Sequence, residues 1–173
     1  MNTRLLIFSV VSLGLVAGCG KGPSTSSEPH GDSAAASSTA NTSTAAGGAR
    51  TIEITANDQM KFSTTALEAK PGEELHVVLT NAGSLPKEAM AHNWVLLKPG
   101  SDVMAFSAAA ASAKDKNYIP DNLKDQIIAK IDILGPHQTG EVTFKAPDQA
   151  GEYPFLCSFP GHAALMKGTL TVR

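Results

Sequence analysis

The chain has 173 residues, with 14 Lys and Arg against 16 Asp and Glu and a formal net charge of −2 at pH 7. This near balance, without a basic block anywhere in the sequence, argues against a nucleic-acid partner. It also gives little long-range steering, so contact chemistry must select any partner.

The first stretch has the features of a secretory signal. An apolar run at 5–16 follows Arg4, and Cys19 comes shortly after it. The run is too short to span a bilayer comfortably and polar sequence follows, so residues 1–18 are predicted to be a cleaved signal peptide. The small residues before Cys19 resemble the bacterial lipobox, in which the cysteine is acylated. The alternative is an ordinary signal peptide with a chance cysteine.

The next segment is predicted to be a tether. Residues 20–49 consist mainly of Ser, Thr, Ala and Gly, with few charges and no aromatic residue. Such a composition cannot bury a core and is expected to stay flexible. The lipidated N-terminus and tether would therefore cover 19–49. The remaining part, 50–173, suits one domain with a sizeable core.

Most of this domain has the pattern of β-strands, with apolar and polar residues alternating in TIEIT and ELHVVLT. One segment, 102–113, is Ala-rich and predicts a helix instead. About seven or eight short strands with one helical insertion predict an all-β fold, a Greek-key β-sandwich. The candidate strands are 51–55, 74–80, 92–97, 125–134, 140–146, 152–159 and 168–173.

The C-terminal stretch CSFPGHAALMKG holds a cysteine that needs an explanation. If Cys19 carries a lipid, Cys157 has no partner in the chain, and a free thiol outside the cytoplasm is liable to oxidation. His162 and Met166 follow with the spacing C-x4-H-x3-M, and His92 opens an apolar strand. Two imidazoles, a thiolate and a thioether suit a type 1 copper site, which is trigonal His₂Cys with a weak axial Met.

Two alternatives to a copper site are open to these residues. Structural zinc sites seldom include a thioether and usually contain more cysteines. A nucleophilic Cys-His pair would make the protein an enzyme, but no third orienting group is apparent. We therefore expect a protein that is not an enzyme, with copper as its cofactor.

Three motifs resemble those of azurins and occur in the same order: NDQMKFST (57–64), LPKEAMAHNWVLL (85–97) and CSFPGHAALMKGTLTVR (157–173). The similarity covers essentially all of 50–173. The chain is similar to the azurin-like blue copper proteins of the cupredoxin family, here in the form of a bacterial lipoprotein. The resemblance implies a cupredoxin-like sandwich that binds one type 1 copper per chain.

The resemblance also assigns roles around the metal. His92, Cys157 and His162 would be the equatorial ligands and Met166 the axial one. The carbonyl of Ala91, where azurins typically have glycine, would make a weak opposite contact.

Further roles lie outside the ligand set. Asn93 would brace the cysteine loop, and Phe159 would direct a backbone N–H toward the sulfur. The family's apolar contact patch around the second histidine corresponds here to Met60, Leu85, Met90, Pro160, Gly161, Ala164 and Leu165.

There are departures from the family pattern. The azurin disulfide near the N-terminus is absent, because no cysteine occurs between Cys19 and Cys157. Asn81 and Lys130 stand where azurins have histidines, so the pH dependence attached to those histidines does not transfer.

The function implied is one-electron outer-sphere transfer between Cu(II) and Cu(I), by a monomer that contacts redox proteins such as c-type cytochromes or membrane redox complexes. The alternative is copper storage or delivery with the same ligands. A module of a multicopper oxidase or nitrite reductase is a third reading, but the chain has only one ligand set and no trinuclear or catalytic copper motif. We expect an exported protein, lipid-anchored to a bacterial membrane, with its folded domain in the periplasm or at the cell surface.

Overall fold

A computed structural model describes residues 42–44 and 48–173 of the chain. The predicted signal peptide at 1–18, Cys19 and most of the predicted tether at 19–49 lie outside the described residues, and those assignments stay predictions. The described part contains no helix that is long and apolar enough to cross a bilayer.

Ten strands form within the described residues. In chain order they are β1 (Thr42–Thr44), β2 (Arg50–Asn57), β3 (Lys61–Phe62), β4 (Ala66–Ala69), β5 (Glu74–Asn81), β6 (His92–Leu97), β7 (Ile127–Leu134), β8 (Thr139–Lys145), β9 (Gly151–Leu156) and β10 (Lys167–Val172). The helices of this part are α1 (Lys87–Met90), α2 (Val103–Ala111) and three 3-10 turns at Lys114–Lys116, Asp121–Gln126 and His162–Ala164.

The strands build two five-stranded sheets. The first has the order β1-β2-β5-β8, with β3 also paired to β2, and the second has the order β4-β10-β9-β6-β7. Two pairs are parallel, β2 with β5 and β4 with β10, and the others are antiparallel. The predicted all-β Greek-key sandwich is confirmed.

The strand count exceeds the predicted seven or eight because three short strands were missed. β3 has only two residues, and β4 has the sequence ALEA, whose Ala and Glu are depleted in strands. β1 lies within the predicted tether, where Thr42 pairs with Ile52 and Thr44 with Arg50. Backbone pairing at a sheet edge requires no apolar side chain, so the composition of this segment gave no sign of the strand. The tether assignment itself stays a prediction.

The core lies between the two sheets. Alternate residues of β2 and β5 point inward, as their sequences predict, and pack against the second sheet. The largest contributors are Ile52, Ile54, Leu75, Leu79, Trp94, Leu96, Phe155 and Leu170. Burying side chains of this size stabilises the fold by roughly 2 kcal/mol each, before the entropy of ordering the chain is subtracted.

Strand β6 is buried on both faces. Trp94 and Leu96 belong to the core between the sheets, whereas Val95 and Leu97 pack in a second cluster with Phe106 of α2. Helix α2 therefore covers the outer face of the second sheet. The predicted helix at 102–113 is confirmed, and Asp102 caps it by accepting hydrogen bonds from the backbone N–H groups of its first turn.

The register of the second sheet brings distant segments together at one end. Val95 of β6 pairs with Leu156 of β9, and Leu156 pairs in turn with Lys167 of β10. The start of β6, the end of β9 and the start of β10 therefore lie side by side. The loop 157–166 joins β9 to β10 at this end.

Candidate metal centre

Three side chains with metal-binding atoms meet at this end of the second sheet. His92 is the first residue of β6, Cys157 follows β9 directly, and His162 begins a 3-10 turn. Their ligand atoms all lie within 4.8 Å of one another. Cys157 Sγ is 3.6 Å from His162 Nδ1, and the two imidazole ring centroids are 5.0 Å apart. The sequence places Cys157 inside the strand, but the strand ends one residue earlier.

The cluster is closed to solvent. His92 and Cys157 are fully buried, and His162 is 3% exposed. Among the described residues, neither ring nitrogen of His92 has a hydrogen-bond partner. The nearby backbone carbonyl of Asn57 acts to raise the pKa of His92, but the two groups do not form a hydrogen bond. A buried imidazole without partners is costly, and a metal ion bound to it explains its presence.

Burial sets the protonation of the three groups. It lowers the pKa of His92, and it lowers the pKa of His162 to about 4, with a smaller effect of the neighbouring His92. Both imidazoles are therefore neutral at pH 7 and have a lone pair to donate. Burial also raises the pKa of Cys157 to about 11, although the backbone N–H groups of Asn93 and Phe159 oppose that shift. A cation at this position would replace the thiol proton.

Met166 lies beside the cluster and is fully buried. It immediately precedes β10, which begins at Lys167, one residue before the predicted strand 168–173. Its backbone N–H donates to the carbonyl of His162 at 2.7 Å, and its own carbonyl accepts from the N–H of Cys157 at 2.9 Å. These two bonds connect the ends of the loop that carries the predicted ligands.

Ala91 immediately precedes His92 and is also fully buried, with the extended backbone angles φ −81° and ψ 155°. It follows the short helix α1, which was not predicted because four residues are too few to show helical periodicity. Its predicted weak carbonyl contact with the metal stays a prediction.

Asn93 connects two distant parts of the chain behind the cluster. Its Oδ1 accepts from the backbone N–H of Ser158 at 2.8 Å, and its Nδ2 donates to Ser158 Oγ at 2.8 Å. Ser158 Oγ in turn donates to the carbonyl of Tyr118 at 2.8 Å. Asn93 was expected to brace this loop. The sequence does not predict that Ser158 and Tyr118 take part in this hydrogen-bond chain. Only the position of Ser158 next to Cys157 could have indicated its part.

The predicted contact residues differ in exposure. Leu165 is 60% exposed and Leu85 is 42% exposed, while Gly161 and Ala164 are also exposed. Met60, Met90 and Pro160 are half-buried. Phe159 is buried, and its ring packs on the imidazole of His162 with centroids 4.7 Å apart.

The donor set fits copper. One thiol and two imidazoles are within reach of one ion, and a buried thioether is adjacent in the same loop. Soft sulfur ligands select Cu(I), imidazole suits both oxidation states, and this mixture is typical of type 1 copper. A structural zinc site would require a fourth strong ligand, usually another cysteine or histidine.

Comparisons with known proteins agree with this geometry. The copper-binding proteins of the plastocyanin/azurin family match residues 49–173. The azurin of Pseudomonas denitrificans is 42% identical over 125 aligned residues, and the match covers 70% of this chain and 97% of that protein. The structure of auracyanin A, a "blue" copper protein from Chloroflexus aurantiacus, is 34% identical with a TM-score of 0.64, and covers 71% of this chain and 98% of its own. An azurin (Az-iso2) from Methylomonas sp. strain J is 32% identical with a TM-score of 0.63, over 71% and 97%.

Proposed function

The chain belongs to the plastocyanin/azurin family of copper-binding proteins, and on this basis we propose that it carries single electrons between redox partners. Its azurin relatives indicate that it is a blue copper electron-transfer protein of the cupredoxin type. The observation that supports the finer proposal is the buried cluster of His92, Cys157 and His162. Bound copper supplies a one-electron couple between Cu(II) and Cu(I) without proton transfer.

The residues of the chain would hold the ion and limit its movement. We propose that His92, Cys157 and His162 would be the strong ligands, the Met166 thioether a weak one and the Ala91 carbonyl a weaker contact. His92 begins β6 and Cys157 directly follows β9, while His162 begins a 3-10 turn, and backbone hydrogen bonds within 157–166 restrict the loop. Ligands that move little when the ion changes charge keep the reorganisation energy low, and this permits rapid electron transfer.

The ligand loop also supplies the route for the electron. His162 is the ligand with residual exposure, and exposed apolar residues such as Leu165 and Ala164 neighbour it in sequence. We propose that these residues and the rest of the predicted patch form the docking surface. An apolar patch of this kind supports a small, weak interface that releases its partner quickly. The electron would leave by an outer-sphere step through the edge of the imidazole.

The partners and the location follow from the same proposal. Redox proteins such as c-type cytochromes, or redox complexes of the membrane, would exchange electrons with a monomer of this chain. Acylation of Cys19 would anchor the exported protein to a bacterial membrane, with the domain in the periplasm or at the cell surface. The protein would act as a carrier and would catalyse no substrate reaction alone.

The experiment that tests the proposal combines two measurements on the copper-loaded domain: electron self-exchange and copper loss to a chelator. An electron carrier exchanges electrons rapidly while it retains its copper. Slow exchange with ready copper loss would overturn the proposal in favour of copper storage or delivery. The closed, braced site supports the first result, because a metal donor requires an accessible ligand set.

A further inference from the structure

The segment after α2 contacts the back of the ligand loop in an unusual conformation. Asn117 and Tyr118 have φ angles of 53° and 59°, in the left-handed region that residues other than glycine rarely adopt. The backbone N–H of Tyr118 donates to the carbonyl of Ala113 at 2.9 Å. A left-handed conformation at such residues persists only where surrounding contacts stabilise it. The contacts of these residues therefore indicate the function of the conformation.

The first contact runs through the backbone of Tyr118. Its carbonyl accepts the hydroxyl of Ser158, whose backbone N–H and Oγ are both bonded to the Asn93 side chain. Ser158 and Asn93 are fully buried, so water does not compete for these bonds. The Tyr118 carbonyl is thus the last acceptor of a hydrogen-bond chain that fixes the residue next to Cys157.

The second contact runs through the aromatic ring of the same residue. The Tyr118 ring lies edge-on to Phe159, with centroids 5.1 Å apart and planes at 64°. Phe159 packs in turn on the His162 imidazole, at 4.7 Å and 47°. Both spacings fall within the range of favourable aromatic pairs. Tyr118 is half-buried and Phe159 is buried, so Tyr118 supports Phe159 from the solvent side.

We propose that Tyr118 is a positioning residue of the metal centre. Its carbonyl acts through Ser158 on the Cys157 side of the loop, and its ring acts through Phe159 on His162. One residue in a left-handed conformation thereby restrains two of the three strong ligands. The inference rests on the proposed function, because it specifies how the same site is kept rigid.

The two contacts can be removed separately. Tyr118→Leu deletes the ring but leaves the carbonyl, and Tyr118→Phe is its control because it keeps the ring. Ser158→Ala deletes the hydroxyl that bonds the carbonyl, together with the bond that the same oxygen accepts from Asn93 Nδ2, and Ser158→Thr restores a hydroxyl for both. Tyr153→Leu alters the chain's other tyrosine, which lies within β9 with its hydroxyl bonded to the Gln149 carbonyl. This variant shows how a general loss of fold stability affects the same measurements.

Two readouts apply, one of them independent of copper. In the metal-free protein, hydrogen exchange of the His162 and Met166 amides reports loop opening, since both are bonded within the loop. In the copper-loaded protein, the absorption spectrum and the rate of copper loss to a chelator report ligand position. We expect Tyr118→Leu and Ser158→Ala to raise amide exchange about tenfold or more, to shift the visible band and to speed copper loss. Tyr118→Phe, Ser158→Thr and Tyr153→Leu should match the wild type in these loop readouts.

The outcomes separate this inference from the proposed function. If the wild-type protein shows the intense visible band and both deleting variants equal it in exchange, spectrum and copper loss, the positioning role of Tyr118 is wrong. The same conclusion follows if Tyr153→Leu changes the loop readouts as much as Tyr118→Leu. A wild-type protein without the visible band would instead refute the proposed function.

Discussion

Asn93 and Ser158 are 65 positions apart in the chain and exchange two hydrogen bonds of 2.8 Å between the start of β6 and the ligand loop. Both residues are fully buried. The bonds hold the loop that carries Cys157 against the strand that carries His92. The ligand loop and the strand that carries His92 are therefore joined by side chains that we do not expect to touch the metal.

Replacing Asn93 by Ala removes both bonds and leaves the backbone N–H of Ser158 without a partner. We expect the free energy of unfolding of the metal-free protein to fall by about 3 kcal/mol, since buried unsatisfied groups add to the two lost bonds. Urea denaturation measures this change. Asn122→Ala, at an exposed position, is the control and should change it by less than about 0.5 kcal/mol. A cost for Asn93→Ala as small as that would contradict the bracing role.

Replacing Met166 by Leu tests its assignment as a weak axial ligand. Leucine conserves the volume of this buried side chain, so the unfolding free energy should change by less than about 1.5 kcal/mol. The visible band should persist while the reduction potential changes, because an axial ligand tunes the centre without creating it. Electrochemistry together with the spectrum checks both statements. An unchanged potential would remove Met166 from the ligand set.

Replacing Leu165 by Asp tests the docking surface. The change places a charge on a side chain that is 60% exposed, so two apolar patches can no longer meet without burying a carboxylate. We expect electron self-exchange to slow by about tenfold or more, with the visible spectrum unchanged. Ala150→Asp is the matched control, because Ala150 is exposed and precedes β9 at the end of the strand away from Cys157. Equal rates in the two variants would place the docking surface elsewhere.

Acid stability should depend on Glu73. The Arg50 guanidinium donates to this carboxylate at 2.5 Å and lowers its pKa, an effect that partial burial opposes. A group whose pKa is lower in the folded state stabilises the fold above its unfolded pKa of about 4.3, and this contribution is lost as the pH falls through the folded value. Glu73→Gln should therefore cost about 1 kcal/mol at pH 7 and much less near pH 3, as urea denaturation at both pH values would measure. An equal cost at the two pH values would contradict the ion pair's contribution.

Much of the fold could be predicted because buried residues alternate with more exposed ones along β5 and, from Ile52 onward, along β2. The length of β6 was predictable from its apolar run, but the reason for its double burial was not. Val95 and Leu97 are covered by Phe106 of α2, and that packing depends on tertiary structure. Strands of two to four residues leave no readable period, so β1, β3 and β4 were missed.

The candidate ligands of the site could be predicted from the sequence, but the role of Tyr118 could not. Cys157, His162 and Met166 lie within ten residues, so their donor types and spacing could be read together. His92 could be added because an apolar strand begins with it. Tyr118 is 40 positions from Ser158, and its role depends on a backbone carbonyl and a left-handed conformation. Neither feature can be predicted from the residue types in the sequence.

The most direct test of the central claim is the visible absorption spectrum of the copper-loaded protein and of its Cys157→Ser variant. If the Cys157 sulfur is bound to copper, the wild type shows an intense sulfur-to-copper charge-transfer band and the variant loses it. A wild-type protein without this band, or a variant that keeps it, would contradict the assignment of Cys157 as the ligand around which the centre is built.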